Sequence, residues 1–200
     1  MEYAKLGNTD IEVSKLCIGC MSFGKAGTMH DWTLDAQESE KVIKHALDLG
    51  INFFDTANCY SAGTSEEYLG QALKKNVARD KVVIASKVYF NEGRLSKAAI
   101  EREIDGSLKR LGTDYLDLYI IHRFDFDTPI EETMEALNDL VKAGKVRALG
   151  ASAMYGYQFY NMQLMAKEHG CLGSSGGNTT ILRVSKTVWG SGTRQYNCGF

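Results

Sequence analysis

The feature that most narrows what this chain can fold into is a repeated alternation. A short apolar run is followed by a longer segment with helical spacing, and a glycine often closes the unit. The first run is Leu16-Cys17-Ile18-Gly19. Residues 36–49 follow, with Val42, Ile43, Ala46, Leu47 and Leu49 at helical spacing and Gly50 placed to stop the helix. Residues 51–54 form the next apolar run. Residues 65–74 read as a helix with Ser65 as its N-cap and a lysine-rich last turn. The run at 82–85 is β-branched. Residues 97–111 carry Ile100, Ile104, Leu108 and Leu111 on one face before Gly112. The nearly continuous apolar run at 116–121 suits a strand covered on both faces. A helix over 130–143 begins after Pro129 and ends at Gly144. A strand over 146–149 and a helix over 157–169 complete the series.

Strict βα alternation implies a parallel sheet with right-handed crossovers. Before the first unit, Tyr3–Lys5 and Ile11–Val13 flank Gly7-Asn8-Thr9-Asp10, the pattern of a small hairpin able to cap one end of a barrel.

Composition closes off several function classes. Net charge is −2, so no basic field recruits nucleic acid or an anionic lipid surface. No apolar run approaches the roughly 20 residues of a membrane span. The start, Met1–Lys5, lacks the apolar stretch of a secretory leader. The five cysteines do not make an even disulfide framework, and Cys17 and Cys20 sit in an apolar segment where core positions, not metal ligation, are expected. A reducing cytoplasm is the expected location. Oligomeric state is not readable.

In a parallel α/β architecture the loops after the strands converge on one face, and reactive groups gather there. Asp55 and Tyr60 follow the second run, Lys87 the third, His122 the fourth and Ser152 the fifth. Each alone also has a structural reading: a turn cap, a loop aromatic, a solvated lysine, a core histidine. Together they have a joint task. An ammonium beside a phenol favours the phenolate and so makes the phenol a stronger acid. A buried ammonium needs a counter-charge, which Asp55 can supply. An imidazole can orient a substrate oxygen. The matching reaction is hydride delivery to a carbonyl carbon while the phenol protonates the oxygen. No side chain donates a hydride, so a cofactor is required.

These residues match the Asp/Tyr/Lys/His tetrad of the aldo-keto reductases, which the chain resembles over residues 3–170. Further stretches resembling that family are Leu16-x-Ile18-Gly19-x-Met21, residues 50–57, Ser65-Glu66-x-x-Leu69-Gly70, residues 111–118 and residues 144–152. The resemblance implies a (β/α)8 barrel of TIM type and NADPH-dependent reduction of small aldehydes or ketones. Tyr60 would be the general acid, with Lys87 and Asp55 tuning it and His122 positioning the carbonyl. Gly19, Cys20, Met21, Asp55 and Ser152 would contact the cofactor. Tyr60 and His122 would touch the substrate, and Tyr89 and Trp32 are candidates to line its pocket. No metal is implied.

The sequence departs from the family at two places. Ser152-Ala153 stands where the family has Ser-Asn, which removes one hydrogen bond to the nicotinamide carboxamide. Family members supply eight strands, whereas about five of eight βα units are legible here. Residues 171–200 hold none of the 25 acidic residues and are rich in Gly, Ser and Thr. They read as an unrelated, poorly ordered tail after a partial barrel at 1–170, as a shifted reading frame or mis-splicing would produce. A truncated product without activity, or a binding or regulatory module like the channel β-subunits that share this barrel, is the alternative expectation.

Overall fold

The structure, a computed structural model, describes residues 1–168 and the backbone of 181–184. Strands β1 (Tyr3–Lys5) and β2 (Glu12–Ser14) pair antiparallel, Tyr3 opposite Ser14. The parallel units follow: β3 (Cys17–Gly19), α1 (Ala36–Asp48), β4 (Phe53–Asp55), α2 (Thr64–Asn76), β5 (Val83–Val88), α3 (Lys97–Leu111), β6 (Leu116–Ile121), α4 (Ile130–Lys142), β7 (Val146–Ser152) and α5 (Gly156–Glu168). A short β8 (Ile181–Val184) lies beside β7, so the sheet order is β3-β4-β5-β6-β7-β8. This adds a sixth strand to the five expected. The expected disorder of 171–200 otherwise lies outside the described residues.

Local chemistry sets the helix ends. Asp35 caps α1: its carboxylate accepts from the Glu38 N–H at 2.9 Å, and the Glu38 carboxylate accepts from the Asp35 N–H in return. Ser96 caps α3, and Gly112 ends it at φ +65. Ser65 does not cap α2 as its position suggested. Gly63 precedes that helix, and Ser65 is buried, donating to the Cys20 carbonyl at 2.7 Å.

Side-chain parity divides the core in two. Cys17, Phe53, Val83, Ala85, Leu118, Ile120 and Ala148 point to the concave side, where Leu6, Ile11 and Val13 of the hairpin region pack against them. Phe54, Ile84, Tyr119, Ile121 and Leu149 point to the other side and meet the helices. The register aligns Phe53 with Val83, and Ala85 with Leu118. The hairpin therefore plugs the N-terminal end of a partial barrel. Cys17 belongs to the inner layer and Cys20 to the outer one, both buried. Among the described residues no helix is long and apolar enough to cross a membrane.

Candidate active site

The C-terminal ends of the strands carry the polar groups. Asp55 is the last residue of β4 and pairs in register with Ala85. Lys87 lies two positions beyond Ala85 within β5, so the two side chains share the inner face. His122 directly follows β6, with its N–H bonded to the Val88 carbonyl. Ser152 ends β7 one residue past Ala151, the partner of Ile121, which sets it beside His122 across the sheet.

All four tetrad side chains are buried, none more than 7 % exposed. The Lys87 ammonium lies 2.6 Å from Asp55 Oδ1, and it donates to the Thr56 carbonyl at 2.6 Å and to the Tyr60 hydroxyl at 3.3 Å. An ammonium has three protons, and here three acceptors surround it. Because Nζ can only donate, the Tyr60 oxygen accepts in that pair. Its own proton points away from Lys87. The Tyr60 ring meets the His122 ring edge-on, centroids 5.7 Å apart.

Tyr60 is held by an unusual turn. Ser61, Ala62 and Gly63 follow it with φ of +47°, +53° and +91°. Two of the three are not glycine, and such a conformation costs energy for residues with a Cβ. Gly24, from the loop after β3, presses on this turn. A Cβ there would stand 2.4 Å from Ser61 Cβ. Thr64 accepts from the Lys25 N–H and donates to the Ser61 carbonyl, tying the two loops together.

Sequence reasoning missed two supporting networks. Asn58 and Asn91 donate to buried Glu103 at 2.8 and 2.6 Å. Burial opposes ionisation of Glu103, but those bonds and Arg102 outweigh it and hold the carboxyl below the usual range. Buried Glu66 accepts from Ser86 at 2.5 Å and from Arg110 at 2.6 Å. These acids sit within helical patterns as ordinary polar positions; only their distant partners mark them. Burial pushes the Cys59 thiol up, which keeps this neighbour of Tyr60 protonated and a poor nucleophile.

The remaining sequence candidates separate. Tyr89 lines a cleft of about 420 Å³ with Arg123, Phe124 and Tyr155. Trp32 is 57 % exposed on the loop between β3 and α1, and its ring stacks on His30 rather than on the tetrad. Gly19 and Met21 are half-buried and Cys20 is buried. A Cβ at Gly19 would meet nothing within 4 Å, so the end of β3 leaves open space, and buried Ser152 offers a hydroxyl across the sheet. These features fit a nicotinamide coenzyme. Ala153 has φ +50°, the left-handed conformation that asparagine tolerates better than alanine.

Comparison with known proteins places this geometry. The profile of the aldo/keto reductase family matches residues 15–173. A putative aryl-alcohol dehydrogenase of Schizosaccharomyces pombe is 43% identical over 197 residues, covering 84% of this chain and 56% of that protein. The versiconal hemiacetal acetate reductase of Aspergillus parasiticus is 43% identical over 194 residues, 85% of this chain and 56% of that protein. The chain thus spans about half the length of the curated relatives it matches. A crystal structure of a thermostable aldo-keto reductase with the inhibitor epalrestat superposes with a TM-score of 0.75 at 28% identity, over 94% of this chain and 73% of the other.

Proposed function

Because the chain belongs to the aldo/keto reductase family, we propose that it carries the proton-transfer site of an NADPH-dependent reductase that converts aldehydes or ketones to alcohols. The observation that carries this reading is the Lys87 ammonium, buried between Asp55 and the Tyr60 hydroxyl.

The reaction needs an acid that gives up its proton as a carbonyl oxygen becomes an alkoxide. Tyr60 is that acid. Lys87 donates to the phenol oxygen, so negative charge developing there meets an ammonium 3.3 Å away. Asp55 offsets the cost of burying that ammonium and fixes it with the Thr56 carbonyl. His122, edge-on to Tyr60, orients the carbonyl oxygen toward the phenol. Gly19, Cys20, Met21, Asp55 and Ser152 would hold the coenzyme, which when bound supplies the hydride. Burial of the tetrad keeps water from competing for the proton. A cytoplasmic location fits the reducing coenzyme.

Titration of the purified protein with NADPH, followed by turnover of a simple aldehyde, tests this. Enhanced coenzyme fluorescence and consumption of NADPH are expected. Tyr60→Phe should keep coenzyme affinity and lose about 10²- to 10⁴-fold in kcat. A phenylalanine variant as active as the native protein removes Tyr60 from the acid role, and absence of coenzyme binding contradicts the reading altogether.

A further inference from the structure

Six arginines lie within residues 1–168. Five are matched with carboxylates: Arg79 and Arg147 with Asp117, Arg94 with Asp125 and Asp127, Arg102 with Glu103, and Arg110 with Glu66. Arg123 forms no ion pair among the described residues, although two carboxylates lie within four positions of it. Both are turned elsewhere. Asp125 accepts from the Leu95 N–H, the Thr128 hydroxyl, the Asp127 N–H and Arg94, and Asp127 is taken by Arg94.

The guanidinium of Arg123 lies 5.4 Å from the centre of the Phe90 ring. The same ring meets His122 edge-on at 4.9 Å. Arg123 also lines the cleft of about 420 Å³, whose walls include Tyr89, Phe124, Phe126, Met154 and Tyr155. That volume falls in the range of small-molecule sites. The cleft combines flat aromatic walls, one planar cation with no carboxylate partner among the described residues and, across Phe90, an imidazole that belongs to the tetrad. A guanidinium matches a carboxylate in geometry as well as charge.

We infer that this cleft selects aromatic carbonyl substrates bearing an anionic substituent, with Arg123 pairing that substituent while the carbonyl lies toward His122. The inference rests on the reductase reading for the carbonyl end and on the cleft's own chemistry for the anionic end. Phe90 lies against both His122 and Arg123, so its ring links the two contacts. An uncharged aryl aldehyde would use the same walls without the terminal pair.

The test compares 4-carboxybenzaldehyde with its methyl ester, which differs in charge while keeping the ring and the aldehyde. The native protein should favour the acid in kcat/KM, with the difference in KM. Arg123→Met should cut the acid-to-ester ratio about tenfold or more, the scale of one charge-assisted bond. Arg123→Lys should restore part of the ratio, and Arg123→Glu should invert it. Calorimetric binding of the two compounds to the NADPH-loaded protein reads the same preference without turnover. If no aldehyde is reduced yet the acid binds more tightly and loses that advantage in Arg123→Met, the reductase reading fails and the anion-binding role of Arg123 stands. Equal affinity for acid and ester in the native protein, or an Arg123→Met effect shared by both compounds or confined to NADPH affinity, overturns it.

Discussion

Two buried carboxylates at opposite ends of the same sheet are used in opposite ways. Asp117, near the start of β6, is nearly saturated. Arg79 and Arg147 reach it at 2.7 and 2.6 Å, and the Ile84 N–H donates to it at 3.0 Å. Arg79 goes on to the Val82 and Tyr115 carbonyls and to Thr113. Asp55, at the end of β4, is paired with a lysine that is buried like itself, and that lysine spends one of its protons on a phenol. At the N-terminal end charge is tied into backbone and stays put. At the C-terminal end it is held next to a group whose proton can leave. Burial alone does not distinguish the two ion pairs; what differs is that only the Asp55–Lys87 pair has a phenol in contact with it.

Removing the carboxylate at the first end should show the largest effect on stability. Asp117→Ala leaves two partly exposed guanidinium groups and a buried N–H without their acceptor. A loss of about 2–4 kcal/mol is expected in urea unfolding, with kcat per folded molecule unchanged. A variant that keeps its stability would show that Asp117 is not the staple described. At the other end, Asp55→Leu with Lys87→Met should abolish turnover while stability stays the same or rises by about 1–2 kcal/mol, since apolar replacements of a buried pair are often neutral or better. A large destabilisation would make the upper pair structural too and blur the contrast.

Gly24→Ala sharpens the functional side. The added methyl would press on Ser61 and the turn behind Tyr60, costing about 1–3 kcal/mol in thermal unfolding and lowering kcat more than it raises KM. Unchanged kcat would mean the turn does not set the phenol's position. The smallest effect is expected at Ala153, where glycine should relieve the left-handed backbone and add about 0.5–1 kcal/mol of stability. A destabilised Ala153→Gly protein would show that this backbone carries no strain.

Much of the fold is legible in local pattern. The helices over 97–111 and 130–142 announce themselves by apolar spacing, by Pro129 and by the glycines at 112 and 144. The four tetrad residue types are legible because they fall at or just past the C-terminal ends of three neighbouring strands. What stayed hidden depends on long-range packing. Ser65 looks like a cap because a cap is a local rule, but a hydroxyl at that position also reaches Cys20 across the core. Glu66, Glu103 and Asp117 look like surface acids because their arginine, serine and asparagine partners are 20 or more positions away for most of their bonds. Lys87 lies inside β5, not after it, because β5 runs to Val88 where the apolar run reads as ending at Ala85. The left-handed turn at 61–63 is invisible from composition, since serine and alanine do not signal it and its contacts, with Gly24 and Arg110, come from distant segments.

In the proposed reaction the phenol and imidazole at the C-terminal rim converge on one substrate oxygen, with the ammonium behind the phenol. A crystal structure of the protein with oxidised coenzyme and a carbonyl-bearing inhibitor addresses it most directly. The inhibitor oxygen is expected within hydrogen-bond distance of both the Tyr60 hydroxyl and the His122 imidazole, with Lys87 still joining Asp55 to Tyr60. An oxygen bound elsewhere, or a Tyr60 turned away from Lys87 in that complex, would contradict it.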